Sequence, residues 1–323
     1  MTKSPKCGIL TRPTQGGFDA ERPLSKENIV SSLATSPLTT VAALKAVDLM
    51  LGENRVWKPT NEVQNLWLQY TYGPGMRDLS RVPEIEANAT DSIENHIAFL
   101  RKHGWQAQIT DPLTDGAIAT AAVLDVLVEW LKAGTNTPII IPGGQHFAGF
   151  ELKNDPFEPT AINEHLQMVG HHIMLSTKSG DIVHIMEAER PPVDVLNLLN
   201  LVDVMIKGAQ QSARSCTVVI PKVDLACKQS LDWLPGLHTT GDNGMYAVIA
   251  QAMQQATLKM NETGARARAA DEMMVSRSMS PHDNKLIIDK PFLLAITRNG
   301  VTAPIFAAYV DYDSWKDPGS LGR

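Results

Sequence analysis

The sequence predicts an α+β protein with mostly antiparallel or mixed sheets. Segments with the helical spacing of apolar residues lie mainly before residue 135, and short runs rich in β-branched residues lie mainly after it. The two kinds of segment do not alternate regularly, as they would in a doubly wound parallel sheet. A chain of 323 residues with 43% apolar content can bury one large core or two modest ones.

Helices are predicted by apolar stripes that end at capping residues. The first helix has Ser36 as its N-cap, Pro37 at its first position and Gly52 after its end. The second carries basic residues in its last turn, where they meet the negative end of the helix dipole. The third has a stripe of five apolar residues, and the fourth has a weaker pattern. These helices are predicted over residues 36–52, 91–104, 114–134 and 191–207.

Strands are predicted for short apolar runs, several of them rich in β-branched residues and bounded by Gly, Pro or polar residues. Most of these runs lie in the second half of the chain. The predicted strands fall within residues 82–90, 105–110, 137–141, 171–175, 181–186, 215–220, 255–260, 285–289, 292–296 and 304–310.

The composition limits which binding partners and which cellular compartment we expect for this protein. The formal net charge of −6 argues against nucleic acid or a membrane surface as a partner, and no apolar run is long enough to span a bilayer. Residues 1–26 are polar and rich in Gly and Pro, so they are predicted as a leader or tail and not as a signal peptide. Three cysteines are too few for a disulfide framework. A cytoplasmic protein with reduced thiols is expected.

The usual catalytic motifs are missing from the sequence. It contains no phosphate-binding loop, no nucleophile elbow and no zinc-binding His-Glu helix. Neighbouring histidines on a strand point to opposite faces, so the histidines of residues 165–184 do not predict a metal site. No cofactor is expected. If the protein is an enzyme, the weak catalytic candidates are His146, Glu151, His171, His172 and His184.

Six segments, in one order along the chain, resemble motifs of the serpin family. "TSPLTTVAALKAVDLM" is similar to the family's S-P-x-S-I helix, and "HFAGFELKNDPFEPT" to its F-K-G-x-W strand end. "VVIPKVDLACKQSLDWLPGL" resembles the segment around L-P-K, and "AMQQATLKMNETGARARAA" the strand and hinge before the reactive loop. "DKPFLLAI" and "PIFAAYVDYDSWKDP" resemble the terminal strand pair. The chain is identified as a trimmed, divergent, bacterial-type member, with residues 27–323 forming one domain.

The resemblance implies a large mixed sheet, smaller sheets, surrounding helices and an exposed reactive loop over residues 262–285. In the family, a protease cleaves this loop, which then inserts as a new strand in the large sheet and traps the enzyme. Inserted hinge residues need small side chains on the buried face. Alternation places three alanines on one face and the intervening arginines on the other. The hinge positions are Glu262, Gly264, Ala265, Ala267 and Ala269.

Counting along the loop as the family does places the scissile bond at Ser278–Met279 or, in an equally reasonable register, at Arg277–Ser278. Arg277 suits a trypsin-like protease, whose specificity pocket carries a carboxylate. A trypsin-like or subtilisin-like protease is therefore the expected partner.

Some residues depart from the family pattern around the inserting strand. In the family, an Asn–His pair in a region called the shutter holds the sheet closed. Motif matching assigns these two positions to Gly143 and Gln254, and it assigns Ser36 to the same region. The family's salt bridge at the top of the sheet is kept as Glu262 and Lys222. Asp271 would be buried on insertion, where the family usually has a small hydroxyl residue, and an unpaired buried carboxylate is costly.

Two functions therefore stay open at the level of the sequence. The first is a serine or cysteine protease inhibitor that acts as a suicide substrate. The second is a non-inhibitory serpin-fold protein recruited to bind or convert a small-molecule ligand, for example as an enzyme of bacterial specialised metabolism. The hinge residues, which match the family pattern, support the inhibitor function. The residues that replace the Asn–His pair at the shutter, together with Asp271, support the non-inhibitory function.

Overall fold

The structure is a computed structural model that confirms the α+β class. It describes residues 32–52, 55–107, 109, 113, 117–153, 166–169, 172–188, 190–208, 214–215, 217–240, 244, 246–265 and 285–321, with the backbone alone for 166–169 and 214–215. Within these ranges, no helix is both long enough and apolar enough to cross a membrane.

Several helices begin at residues whose side chains cap them, whereas Ser36, the predicted N-cap of the first helix, makes no side-chain capping bond. Asn61 Oδ1 accepts a hydrogen bond from Gln64 N at 2.9 Å, and Ser92 Oγ accepts one from Asn95 N at 3.2 Å. A π-helical turn joins the second helix to the third. The helices are α1 (Pro37–Leu51), α2 (Glu62–Trp67), α3 (Gly73–Asp78), α4 (Ile93–Lys102) and α5 (Val195–Gly208), which confirms the predictions for α1, α4 and α5.

The strands are mostly short, as their sequence runs predicted. In chain order they are β1 (Leu33–Thr35), β2 (Val56–Lys58), β3 (Ile85–Thr90), β4 (Ala119–Leu124), β5 (Val128–Glu129), β6 (Thr135–Ile140), β7 (His146–Lys153), β8 (Leu166–Val169), β9 (His172–Ser176), β10 (Ile182–Glu187), β11 (Arg214–Ser215), β12 (Thr217–Pro221), β13 (Val223–Ser230), β14 (His238–Thr240), β15 (Tyr246–Val248), β16 (Met253–Met260), β17 (Gly264–Ala265), β18 (Lys285–Ile287), β19 (Phe292–Thr297) and β20 (Phe306–Val310).

The largest sheet has seven antiparallel strands in the order β1-β20-β19-β10-β9-β8-β11. One face packs on α5 through Leu198, Val202 and Met205. The other face contributes to the main core, where Phe150 and Ile220 of a four-stranded sheet are completely buried. That sheet has the order β18-β12-β7-β6, and β12 and β18 run parallel.

Two antiparallel strand pairs, β3 with β4 and β13 with β16, form the part of the fold that matters for function. Within the described residues, no ladder joins β4 to β16. A two-residue pair, β17 with β5, and the three-stranded sheet β15-β14-β2 complete the topology. The first pair packs on α1 and α4, since Thr120 Oγ1 of β4 donates a hydrogen bond to Ala43 O of α1 at 2.9 Å.

The predicted helix over residues 114–134 is wrong. The structure places β4 and β5 there, although Leu124 and Val128 fit a helical stripe. Every residue of β4 pairs with β3, from Ile85–Leu124 to Thr90–Ala119, so long-range pairing overrides the local periodicity. In the predicted strand over 105–110, residues 105–107 are also not a strand.

An arginine links three separate segments at one end of the molecule. The Arg298 guanidinium donates hydrogen bonds to both carboxylate oxygens of Asp181, at 2.7 and 3.0 Å, and to both of Glu84, at 2.9 and 2.7 Å. Hydrogen bonds from Arg298 lower the pKa of Glu84 against the opposing effect of burial. Asp181 is only 1% exposed, so Arg298 compensates a carboxylate that water does not reach.

Replacing Arg298 by Met should lower the free energy of unfolding by about 3 kcal/mol, because Asp181 would lose its charged partner in a buried place. Urea denaturation measures the change. Lys207→Met is the matched control, since the Lys207–Asp203 pair is exposed and its loss should cost less than about 0.5 kcal/mol. Equal effects of the two substitutions would contradict the role given to Arg298.

Candidate functional site

Two facing strand edges border a slot in the structure. We use "slot" for the space between β4 and β16, whose other edges pair with β3 and β13. The cavity along the slot has a volume of about 450 Å³, and residues 120–126 and 251–259 line it from the two sides. A strand that lacks a neighbour on one edge presents a row of backbone donors and acceptors, so the slot can accept an extended chain.

The chain enters the slot at one end. After β16, the hinge turn Asn261–Gly264 reverses the chain, and Gly264 and Ala265 pair antiparallel with Glu129 and Val128. Backbone hydrogen bonds from Gly134 N to Glu262 O, at 2.7 Å, and from Trp130 N to Thr263 O, at 3.3 Å, hold the turn against the chain beyond β5. Ala265 is 5% exposed and lines the cavity.

Gly264 is required by the closeness of this pairing. A Cβ atom at this position would lie 2.4 Å from Val128 O and 3.0 Å from Glu129 Cα. Because both neighbours are backbone atoms of a paired strand, they cannot move aside without breaking the pairing. The hinge therefore depends on the absence of a side chain at Gly264.

A buried lysine ties the hinge turn to the C-terminal part of the chain. Lys222 Nζ lies 2.9 Å from Glu262 Oε2 and 2.9 Å from Asp317 Oδ2, and its side chain is 8% exposed. Burial alone would lower the pKa of Lys222, but hydrogen bonds to Asp317 and Glu262 outweigh it and raise the pKa. The lysine therefore stays charged and holds the turn in place. Sequence reasoning did not find Asp317.

At the other end of the slot, Gln254 of β16 is fully hydrogen-bonded. Its Oε1 accepts bonds from Thr35 Oγ1 at 2.6 Å and Gln229 Nε2 at 3.1 Å. Its Nε2 donates bonds to Ser36 O at 2.9 Å and Thr39 Oγ1 at 3.0 Å. With only 8% of Gln254 exposed, these four bonds join β16 to β1, to β13 and to the start of α1.

Gly143, the other predicted shutter position, is not part of this network. It lies exposed in the turn between β6 and β7, where its φ of 106° requires a glycine-like conformation. Motif matching predicts Gly143 as the Asn position of the shutter, whereas the structure places the strand that borders the slot earlier in the chain, at β4. Ser36 does lie beside Gln254, through its backbone carbonyl.

The weak catalytic candidates do not form a common site within the described residues. His146 is exposed at the start of β7, and Glu151 of the same strand forms ion pairs with Lys153 and Lys285, both at 2.6 Å. Burial of Glu151 opposes its ionisation, but these two lysines outweigh burial and lower its pKa. His171 lies outside the described residues.

His172 and His184 form a buried pair on the face of the seven-stranded sheet that carries the α5 contacts. His172 Nε2 lies 3.0 Å from His184 Nδ1, and His184 Nε2 lies 2.9 Å from Thr297 Oγ1. Burial lowers the pKa of both to about 4, and the neighbouring His172 adds to the effect on His184. Both rings are therefore neutral at neutral pH. No group of three metal-binding side chains occurs in the described part of the chain.

The residues of the reactive-loop prediction lie mostly outside the described residues. This holds for Ala267, Ala269, Asp271, Arg277, Ser278 and Met279. The described hinge residues are Glu262, Gly264 and Ala265, and they occupy the end of the slot. The geometry defines a protein whose sheet is split, with its own chain entering the gap at one end.

Comparisons with known proteins agree with this geometry. The family model "Serpin (serine protease inhibitor)" matches residues 187–311, and no curated protein matches the chain. Three solved structures are similar in fold. They are human glycosylated kallistatin (12% identity, 91% of this chain and 94% of that chain, TM-score 0.57), thyroxine-binding globulin in complex with thyroxine (12%, 88% and 93%, 0.53) and Serpin48 of the insect Tenebrio molitor (13%, 87% and 91%, 0.51).

The chain has the serpin fold, and residues 187–311 match the serpin family model. The likeness extends over most of the chain, although the sequence identities are low. The resemblance inferred from sequence motifs is therefore confirmed.

The His172–His184 pair should make stability depend on pH. Unfolded histidine has a pKa of 6.5, whereas the folded pair titrates at about 4, so the unfolded state binds more protons between these values. The stabilising contribution is fully present above about pH 6.5 and is lost as the pH falls toward 4. Each histidine should contribute a slope of about 1.4 kcal/mol per pH unit at most.

Urea denaturation at several pH values tests this expectation. His184→Leu should give a shallower loss of stability between pH 6.5 and 4 than the wild type. His146→Leu, which removes an exposed histidine, should leave the slope unchanged. A His184→Leu variant with the wild-type slope would exclude the pair as the source of the pH dependence.

Proposed function

We propose that this protein inhibits a serine or cysteine protease by offering residues 262–285 as a suicide substrate. The observation that carries the proposal is the slot between β4 and β16, which no other described strand occupies, with Gly264 and Ala265 paired at one end. In the proposed mechanism a trypsin-like or subtilisin-like protease attacks Arg277–Ser278 or Ser278–Met279. The chain before the cleaved bond stays attached to the enzyme as an ester or thioester and inserts into the slot.

The two pairings at the hinge predict the register of insertion. Ala265 pairs with Val128 of β5, and Gly264 forms a bridge to Asn261, next to the end of β16. Continued antiparallel pairing would place Ala267 and Ala269 opposite Leu258 and Ala256 of β16. Both of these β16 residues are buried. Directly opposed residues share a face, so the alanines would enter the interior and the arginines between them would stay on the surface.

Insertion would satisfy backbone groups on three strands. Every inserted residue could bond to β4 on one side or to β16 on the other, and each bond contributes about 1 kcal/mol net. Small alanine side chains add buried apolar area without needing a larger cavity. The stored instability of the split sheet is thus the source of the free energy that drives insertion.

The same register gives Asp271 a defined neighbour. It would lie opposite Gln254 of β16 and Ala122 of β4, at the end of the slot where Gln254 already uses both amide donors. A carboxylate placed there would lack a partner unless the Gln254 bonds rearranged or the carboxyl group took up a proton. Asp271 is therefore the position at which insertion should slow down.

A second candidate is a non-inhibitory protein that binds or converts a small molecule. The fold is shared with thyroxine-binding globulin in complex with thyroxine, and the slot of this chain contains a cavity of about 450 Å³. That volume falls within the range of small-molecule sites. If this candidate is right, proteases should nick the loop without forming a stable complex.

Incubation with trypsin and with subtilisin tests the inhibitor proposal. The wild type should form an SDS-resistant complex with at least one of them, and the cleaved protein should melt at a higher temperature than the intact one. Gly264→Val should be cleaved without complex formation, because its side chain collides with Val128 O. Gly208→Val, where added atoms meet open space, should behave as the wild type.

Simple cleavage of the wild type with an unchanged melting temperature would refute the inhibitor proposal. Intact Gly264→Val should keep a melting temperature within a few degrees of the wild type, since only the end of the slot changes.

Asp271→Asn should increase the fraction of protein molecules that form the stable complex with the protease, and it should decrease the fraction that is cleaved and released. The uncharged amide avoids the cost of burying a carboxylate, and a gain of about 1 kcal/mol in the insertion barrier is roughly a fivefold change in partition. The measured quantity is the number of inhibitor molecules consumed per protease molecule inactivated. Glu272→Gln makes the matching change at the next position, on the solvent side of the register, and should have no effect.

A further inference from the structure

The cavity along the slot contains polar groups that strand pairing does not use. His96 of α4 lines it, is 4% exposed and has no hydrogen-bond partner within the described residues. Burial lowers the pKa of His96, so its imidazole is neutral and offers one N–H donor and one acceptor nitrogen. A buried imidazole without a partner carries a cost of about 1–3 kcal/mol, which a bound polar group would remove.

The surroundings of His96 are mainly apolar. We call the part of the cavity on the α4 side of β4, lined by His96, Leu100, Trp105, Ala121 and Val123, the lower pocket. The lower pocket therefore combines apolar walls with an imidazole that is free to bind.

A second polar group lines the same cavity from α1. The Ser36 hydroxyl belongs to a residue that is 5% exposed, and its oxygen has no hydrogen-bond partner in the part of the chain that the structure describes. Neither His96 nor Ser36 carries a charge at neutral pH. Among the described residues that line the cavity, these neutral hydrogen-bonding groups are buried, whereas the lysine, Lys259, is exposed on β16 and outside the lower pocket.

We propose that the lower pocket binds an uncharged apolar molecule that carries a hydroxyl group, with the hydroxyl bonded to His96. The class includes phenols and apolar alcohols. This inference gives the small-molecule candidate a site, and it does not depend on protease inhibition. Because the ligand would occupy the end of the slot near Gln254, it would also compete with the residues of an inserted strand that follow Asp271.

Equilibrium dialysis against 2-naphthol and naphthalene at neutral pH tests the proposal without any protease. The two probes share a ring system and differ by one hydroxyl. The wild type should bind 2-naphthol roughly three- to tenfold more tightly than naphthalene, which is the strength of one added hydrogen bond. The anionic 2-naphthoate should bind more weakly than 2-naphthol, since the pocket supplies no charge to balance it.

His96→Phe keeps the pocket apolar and removes the hydrogen bond. It should bring the affinities for 2-naphthol and naphthalene within about twofold of each other. His238→Phe makes the same substitution on β14, outside the cavity lining, and should keep the wild-type preference. Unchanged naphthalene binding by His96→Phe shows that the variant is folded, and Ala121→Leu, which adds side-chain atoms to the α4 side of β4, should weaken the binding of both probes.

Equal binding of the two probes by the wild type, no saturable binding of either, or a preference that survives in His96→Phe would overturn the proposal. None of these results bears on the complex with trypsin or subtilisin. The failure of the lower pocket as a binding site and the failure of the inhibitor proposal are therefore distinguishable.

Discussion

The arrangement of the molecule depends on two strand edges that no other strand pairs with in the part of the chain that the structure describes. Within the described residues, β4 and β16 each pair on one side only, so backbone groups on their facing edges lack strand partners there over most of their length. A closed sheet would remove this cost, but it would also leave no place for another strand. The proposed inhibitor function and the proposed small-molecule site are two uses of the same unpaired edges.

The ends of the slot are held by different kinds of interaction. At the hinge, a buried lysine bonds to two carboxylates, and its position decides where the chain turns. At the opposite end, Gln254 has neutral hydrogen bonds to a strand and to the start of a helix. Neutral bonds exchange partners at a lower cost than buried charged ones. The slot can thus widen more easily at the Gln254 end while the hinge stays fixed.

Sequence patterns predicted the elements whose local signal agrees with their surroundings. α1 and α5 have apolar stripes that pack inward, and the short apolar runs of β10, β12 and β19 are largely buried strands. The sequence predicts a helix over the segment of β4 and β5 because its alanines and leucines fit a helical pattern. Only the pairing of this segment with β3 and with the hinge makes it extended. Motif matching proposed the Lys222–Glu262 contact. Asp317 lies 95 residues from Lys222 and carries no local sign of its role.

The entry of Gly264 and Ala265 into the slot has a kinetic consequence. Forming the first contacts between a free loop and a sheet normally requires a search through many arrangements, and that search is the slow, entropically costly stage of pairing. Here the first rung is already formed in the intact chain. An arriving strand would grow from a single fixed origin, one residue after another, so register errors would be suppressed from the outset.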